Sequence, residues 1–153
     1  MNTVVSQERV IHAERTRARR CALQAVYQWQ MTAMDTGDIA AQFADSSEYR
    51  GVDSDYFQEL LQGVVQNVSQ LDAELAPALD RKIELVDPIE RAVLRIATYE
   101  LLFRADVPCR VILNEAVSLT RKFGAEQGYT FVNGVLDRLA HRLRSAECSR
   151  GGH

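Results

Sequence analysis

The stretch from Phe57 to Leu75 repeats apolar residues at Phe57, Leu60, Leu61, Val64, Val68, Leu71 and Leu75. These steps of three and four residues put one apolar stripe on a helix and are incompatible with the period-two alternation of a strand. The same period recurs along the chain: at Ala18, Cys21, Ala22, Ala25, Val26 and Trp29, then at Ile89, Val93, Ile96 and Phe103. It returns at Ile112, Ala116, Leu119 and Phe123, and at Val132, Val135, Leu136, Leu139 and Leu143. No segment alternates over strand length. The fold class that follows is all-α, with about seven helices joined by short loops, and only 8 glycines and 3 prolines to break them.

Boundary signals agree. Asp53 or Ser54 suits the cap of the helix holding Phe57. That helix is expected to break near Asp72, with Pro77 in the first turns of a second piece. Asp87 reads as an N-cap, Pro88 as the first helical residue and Glu90 as the far side of a capping box. Pro108 opens the next helix, and Gly124 ends it as a left-handed C′ glycine. A short helix is expected around Ile39 to Phe43, and DSSEYRGVD is a loop by composition. The organisation expected is a mobile arm over 1–14, one helical domain over 15–145 with subdomains of about 15–80 and 81–145, and a flexible tail over 146–153.

Of 153 residues, 46% are apolar and 25% charged, which suits a packed domain and excludes global disorder. No apolar run reaches a signal peptide core or the roughly 18 residues of a membrane span. Cys21, Cys109 and Cys148 are widely spaced and odd in number, as in a protein of a reducing compartment. A soluble cytoplasmic protein is expected. Three histidines, His12, His141 and His153, share no ligand spacing, so neither a metal nor a cofactor is expected. Phosphate-loop, dinucleotide and nucleophile-elbow motifs are absent, which argues against an enzyme.

Charge is unevenly placed. Between Asp35 and Glu90 lie 13 acidic and 3 basic residues, whereas the rest of the chain has 8 acidic and 15 basic. The net charge of −3 therefore leaves room for a nucleic-acid surface. Arg15, Arg17, Arg19 and Arg20 crowd the start of the first helix, where cations oppose the macrodipole. A phosphate backbone is one account of them; a solvated end, with Glu14 paired to an arginine, is the plainer one. Arg15 and Arg19 share one side while Arg17 and Arg20 point elsewhere, so the cluster rings the helix. Trp29 fits the buried stripe. Tyr27 lies off it, as a stacking platform or a core ring. In RKFGAEQGYTFVNGVLDR, cations and aromatics interleave as in single-stranded RNA binders, although Phe123 and Phe131 would also seal a tight turn.

The ordered segments CALQAVYQWQ, DPIERAVLRIATYEL, VPCRVILNEAVSLTRKFG and FVNGVLDRL, after an arginine-rich start, resemble the NusB family of bacterial transcription antitermination factors from about Arg17 to Leu143. The resemblance implies two small helical subdomains, binding of boxA RNA, and a protein partner, the small-subunit ribosomal protein NusE. It also implies entry into an RNA-polymerase complex that suppresses termination, chiefly in ribosomal RNA operons, with no cofactor. Carried over residue by residue, Arg15, Arg17, Arg19 and Arg20 match the RNA-binding start. Tyr27 and Glu90 match positions near the NusE and RNA surfaces. Lys122, Phe123, Gln127 and Phe131 match the RNA loop and its flanks. Gln127 stands where an acid is frequent, and Thr130 where a lysine is. The first helix is preceded by a longer arm than usual. The same fold fronts an RNA cytosine methyltransferase, but a chain ending at His153 has no room for a catalytic domain. The rival reading is a helical protein-interaction adapter without RNA binding. The free protein is expected as a monomer or homodimer, with no dimer seam visible.

Overall fold

The computed structural model describes the backbone of residues 3–151 and the side chains of residues 3–148; His153 lies outside the described residues. Among them are eight α-helices and no strand. They fall into two compact units, Met1–Val65 and Gln66–His153, so the division comes earlier than the expected position near residue 80.

The first unit holds α1 (Thr3–Thr32), α2 (Thr36–Ala44) and most of α3 (Ser54–Gln66). Its interior is Ala18, Cys21, Ala22, Leu23, Ala25 and Val26 of α1, Ile39 and Phe43 of α2, and Tyr56, Phe57, Leu60, Leu61 and Val64 of α3. Burying each larger aliphatic side chain contributes about 1.5–3 kcal/mol. Phe57 is central, with ring centroids 5.2 Å from Phe43 and 5.5 Å from Tyr49. Caps fix the chain entries. The Asp35 carboxylate accepts from the N–H groups of Gly37 and Asp38, and Asp53 Oδ1 accepts from Tyr56 N–H at 3.0 Å. Ser47–Tyr49 is a single 3₁₀ turn inside the expected loop. Trp29, expected in the core, is only half-buried.

One expectation is corrected here. The segment over 1–14 is not an arm without secondary structure, because α1 is helical from Thr3. Val4, Val5, Val10 and Ile11 are all exposed, so no buried stripe announces this part of the helix.

The second unit contains α4 (Val68–Leu75), α5 (Pro88–Phe103), α6 (Cys109–Phe123), α7 (Gly128–Leu143) and α8 (Ser145–Gly151). Helix α5 is its axis. Ala92, Val93, Leu94, Ile96, Ala97, Thr98, Tyr99, Glu100 and Leu101 are all buried, the pattern of a helix covered on every side. Asp87 caps it as expected, accepting from Ile89 and Glu90 N–H at 2.9 and 3.2 Å. Phe103, read as part of the stripe, ends exposed against Tyr99. The break between α3 and α4 falls at Asn67 rather than near Asp72, and Pro77 lies in a 3₁₀ turn after α4. Ionic anchors brace the unit. Arg95 forks onto both Asp72 oxygens at 3.0 and 2.9 Å, and Arg138 donates twice to the Ala78 carbonyl.

The tail over 146–153 is also corrected. Helix α8 runs to Gly151, with Cys148 buried against Cys109. Arg144, just before it, donates to the carbonyls of Glu100, Leu101, Arg104 and Val107, which closes the α5–α6 turn.

Candidate nucleic-acid interface

The start of α1 at Thr3 changes the meaning of the arginine cluster. Arg15 lies more than three turns inside the helix, and the macrodipole acts only over the first turn. The four guanidiniums therefore meet no dipole penalty, and neighbours place three of them. Arg15 sits 4.5 Å above the Tyr56 ring, with Nε 3.9 Å from Asp53 Oδ2. Arg19, one turn on, sits 5.5 Å from the same ring and is only 2% exposed. Arg17 Nη1 donates to the Gly51 carbonyl at 3.2 Å. Gly51 holds φ +75°, the left-handed region that favours glycine, and an added Cβ would press on Arg17 Nη1 at 3.1 Å.

Of the four arginines expected at the RNA, Arg19 is the one the fold withdraws from solvent, at 2% exposure. Arg17 remains exposed and Arg20 half-buried, and Arg20 makes no hydrogen bond or ion pair among the described residues. Helical spacing had placed Arg15 and Arg19 on one side, and that side is the one α3 covers. Tyr27 is half-buried, and its hydroxyl has no hydrogen bond among the described residues.

In the second unit the α6–α7 loop carries the other expected residues. Gly124 ends α6, but in extended backbone (φ −88°, ψ 179°) and not as a left-handed cap. A glycine is needed there for space: an added Cβ would lie 2.8 Å from the Thr120 carbonyl oxygen. The left-handed residue is Gln127, φ +73°, which turns the chain into α7 with its side chain exposed. Lys122 and Phe123 are exposed on the last turn of α6.

Glu90 belongs to this same site. It is 8% exposed, and its Oε2 lies 2.5 Å from where a Gly128 Cβ would stand. The bare backbone of α7's first residue thus rests on the Glu90 carboxyl. Burial, then the Asp87 charge, raise the Glu90 pKa above the ordinary glutamate range, with Arg81 pulling it back. Keeping a carboxyl in a site that disfavours its charge costs stability near neutral pH. The sequence expectation of a capping box is only half met, since Asp87 caps α5 by its own side chain.

Phe131 is half-buried beneath Arg81, whose guanidinium carbon is 4.5 Å from the ring centroid. On the neighbouring turn, Arg121 lies 4.2 Å above Tyr129. Of these two cation–aromatic pairs, Arg121 on Tyr129 comes from the interleaved segment, whereas the partner of Phe131 comes from outside it. The structure brings Glu90, Gln127 and Phe131 to one loop, and adds Arg81, which sequence reasoning missed. Arg81 is 50 positions from its ring and carries no local pattern. No group of three or more metal-ligating side chains occurs among the described residues.

Residues 16–141 match the NusB family model. The chain is 51% identical over 138 residues to the transcription antitermination protein NusB of Xanthomonas axonopodis pv. citri, covering 90% of this chain and 87% of that protein. It is 53% identical over 133 residues to the protein of the same name from Xanthomonas oryzae pv. oryzae, covering 87% of this chain and 85% of that one. Among solved structures, NusB of T. maritima superposes with a TM-score of 0.73 at 30% identity, over 82% of this chain and 89% of that chain. A chain in a crystal structure of antitermination factors NusB and NusE with double-stranded RNA shares the fold, with a TM-score of 0.72 at 24% identity over 85% and 98% of the two chains.

Proposed function

The chain belongs to the NusB family, and from that premise we infer that it is a transcription antitermination factor. It binds boxA RNA together with ribosomal protein NusE and helps RNA polymerase read through terminators, chiefly in ribosomal RNA operons. The reading includes no catalytic step and no cofactor, and places the protein where transcription occurs, in the cytoplasm. No helix among the described residues is long and apolar enough to cross a membrane.

The observation that carries this reading is identity above one half along nine-tenths of the chain with proteins of that name. The geometry supports it through two surfaces, each within its own unit. On α1, Arg17 and Arg20 offer charge to phosphates, beside Arg15 and Tyr27. On the α6–α7 loop and its flanks, Lys122 supplies charge, Phe123 a ring and Gln127 an exposed amide, while Phe131 is half-buried beneath Arg81. Glu90 and Tyr27 serve the NusE side of the assembly. With Arg19 withdrawn into the core, three or four cations remain for phosphates, and log affinity should fall against log salt with a slope of about −2 to −3 on a single strand.

The test is transcription in vitro through a terminator placed downstream of boxA, with NusE and the other elongation factors present. Read-through that needs this protein and an intact boxA supports the reading. Read-through unchanged by omitting the protein refutes it and leaves a helical adapter.

A further inference from the structure

Phe131 was expected to stack on a base, but its outward face is already occupied. The Arg81 guanidinium lies over it at 4.5 Å. Arg81 is itself pinned: Nε and Nη2 donate to the two Asp80 oxygens at 2.7 and 3.2 Å, a fork that fixes the plane of the group. That fork holds the Asp80 carboxyl below its ordinary range and the Arg81 guanidinium above its own, so the arginine keeps its charge as one half of an ion pair. One face of the guanidinium rests on the ring, one edge is spent on Asp80, and the side chain is still 43% exposed. What remains is a flat, oriented cation, paired with Asp80, partly exposed to solvent and close enough to Glu90 to act on its charge.

We propose that Arg81 is a stacking residue of the RNA site: a nucleobase of the bound strand lies on the free face of its guanidinium, which Phe131 and Asp80 hold in place as positioning residues. The inference rests on the RNA-binding reading above and adds to it the contact and its chemistry. Arginine planes stack on bases as aromatic rings do. A plate whose charge is already paired contributes little counterion release, so its part in affinity is insensitive to salt. Arg121 on Tyr129 is a similar pair, but Tyr129 and Phe131 are two residues apart and leave α7 on opposite sides. Arg81 is the one that shares its side with Glu90, whose charge it feels.

The distinguishing variant is Arg81→Lys, which keeps the charge and loses the plane. Labelled boxA RNA is titrated with the full chain and NusE at several salt concentrations, using wild type, Arg81→Lys, Arg81→Ala, Phe131→Leu and Arg81→Ala/Phe131→Leu. Expected is a loss of roughly ten- to hundredfold for both Arg81 variants, the range of one stacked base. The salt slope should be unchanged and the melting temperature of Arg81→Lys close to wild type. Phe131→Leu should weaken binding too, and the double variant no further, because the ring acts through the plate. Wild-type affinity in Arg81→Lys, with Arg81→Ala lowering the slope by about 0.7, would make the contact a phosphate and overturn the proposal. Wild-type affinity in Arg81→Ala would overturn it as well. Wild type failing to bind boxA would instead refute the RNA reading on which it stands.

A separate observation carries a second inference. Cys109 opens α6 and Cys148 lies in α8; both are buried, and their sulfurs are 2.9 Å apart. Glu147 Oε2 accepts from Cys109 N–H at 2.6 Å, and Arg144 binds Glu147 while gripping the α5–α6 turn, so the approach is braced from both sides. The geometry points to Cys109 and Cys148 as an oxidative modification site, where a hydroperoxide converts the two thiols to a disulfide that fastens α8 to α6. One thiolate attacks the peroxide O–O bond, giving a sulfenic acid and releasing an alcohol from an organic hydroperoxide or water from hydrogen peroxide. The second sulfur displaces water from it, so two thiols lose two electrons and two protons. Burial above all, then the Cys148 neighbour, push the Cys109 thiol up to about 12, so the reaction should be slow at neutral pH and quicken in alkali. The test treats reduced full-length protein with hydrogen peroxide and maps its peptides without reductant. A Cys109–Cys148 peptide with Cys21 still alkylatable, lost in Cys148→Ser, is expected. Both thiols alkylatable after oxidation, or disulfides only between molecules, would overturn it.

Discussion

Gly128→Ala isolates the contact on which the loop site is built. An alanine Cβ at this position would lie 2.5 Å from Glu90 Oε2 and 3.1 Å from Cδ. Backbone geometry alone does not object to a side chain, since Gly128 is the first residue of α7 and holds no positive φ. The obstacle is the end of the Glu90 side chain, so the carboxyl must swing out of its buried seat or α7 must lift. Overpacking of this kind costs about 1–3 kcal/mol. Alanine returns up to about 1 kcal/mol of helix propensity. The net loss should be about 1–2 kcal/mol, which lowers the melting temperature by roughly 2–8 °C for a chain of this length. Thermal unfolding followed by far-UV circular dichroism measures it. The decisive arm is the cycle with Glu90→Ala. With the carboxyl gone, Gly128→Ala should be neutral or stabilising, giving a coupling of about 1 kcal/mol or more. Equal destabilisation in both backgrounds would refute the idea that Gly128 is glycine because of Glu90.

Other outcomes follow from the same geometry. The Glu90 pKa is raised in the folded protein, so the ionised carboxyl costs stability as pH rises from the ordinary glutamate range through its folded value. Glu90→Gln should therefore raise the melting temperature near neutrality, with the gain vanishing in acid; a gain that does not vary with pH would contradict the desolvation account. Arg19→Ala should lower the melting temperature because the side chain is buried on Tyr56. Arg20→Ala should leave stability within about 0.5 kcal/mol, yet weaken RNA binding and reduce its salt slope by about 0.7; the reverse pattern would put the wrong arginine on the RNA. Arg144→Lys should destabilise the protein by at least about 2 kcal/mol in urea titration, since one ammonium cannot serve the four carbonyls that the guanidinium reaches.

What the sequence revealed was what local physics decides. Asp53 and Asp87 announce their helices because a carboxylate before an apolar stripe has a free N–H to accept from. The start of α1 was hidden because Val4, Val5, Val10 and Ile11 bury nothing. The break at Asn67 was hidden because Leu60, Leu61, Val64, Leu71 and Leu75 keep one phase across it. Gly124 was read for its freedom at positive φ, whereas it serves close approach to Thr120, and Gln127 takes the left-handed turn. In the candidate site, Phe123 and Phe131 stood out in one interleaved segment, and Gln127 only through the family resemblance. Arg81 over Phe131, and Arg19 under cover of Tyr56, are tertiary pairings for which the local sequence has no sign.

The central claim is that this chain recognises boxA RNA jointly with NusE. It is tested most directly by fluorescence anisotropy of labelled boxA RNA titrated with the protein, with and without NusE, beside a scrambled RNA. The account predicts selective binding to boxA that tightens when NusE is present. Equal, weak binding to both RNAs under both conditions would contradict it.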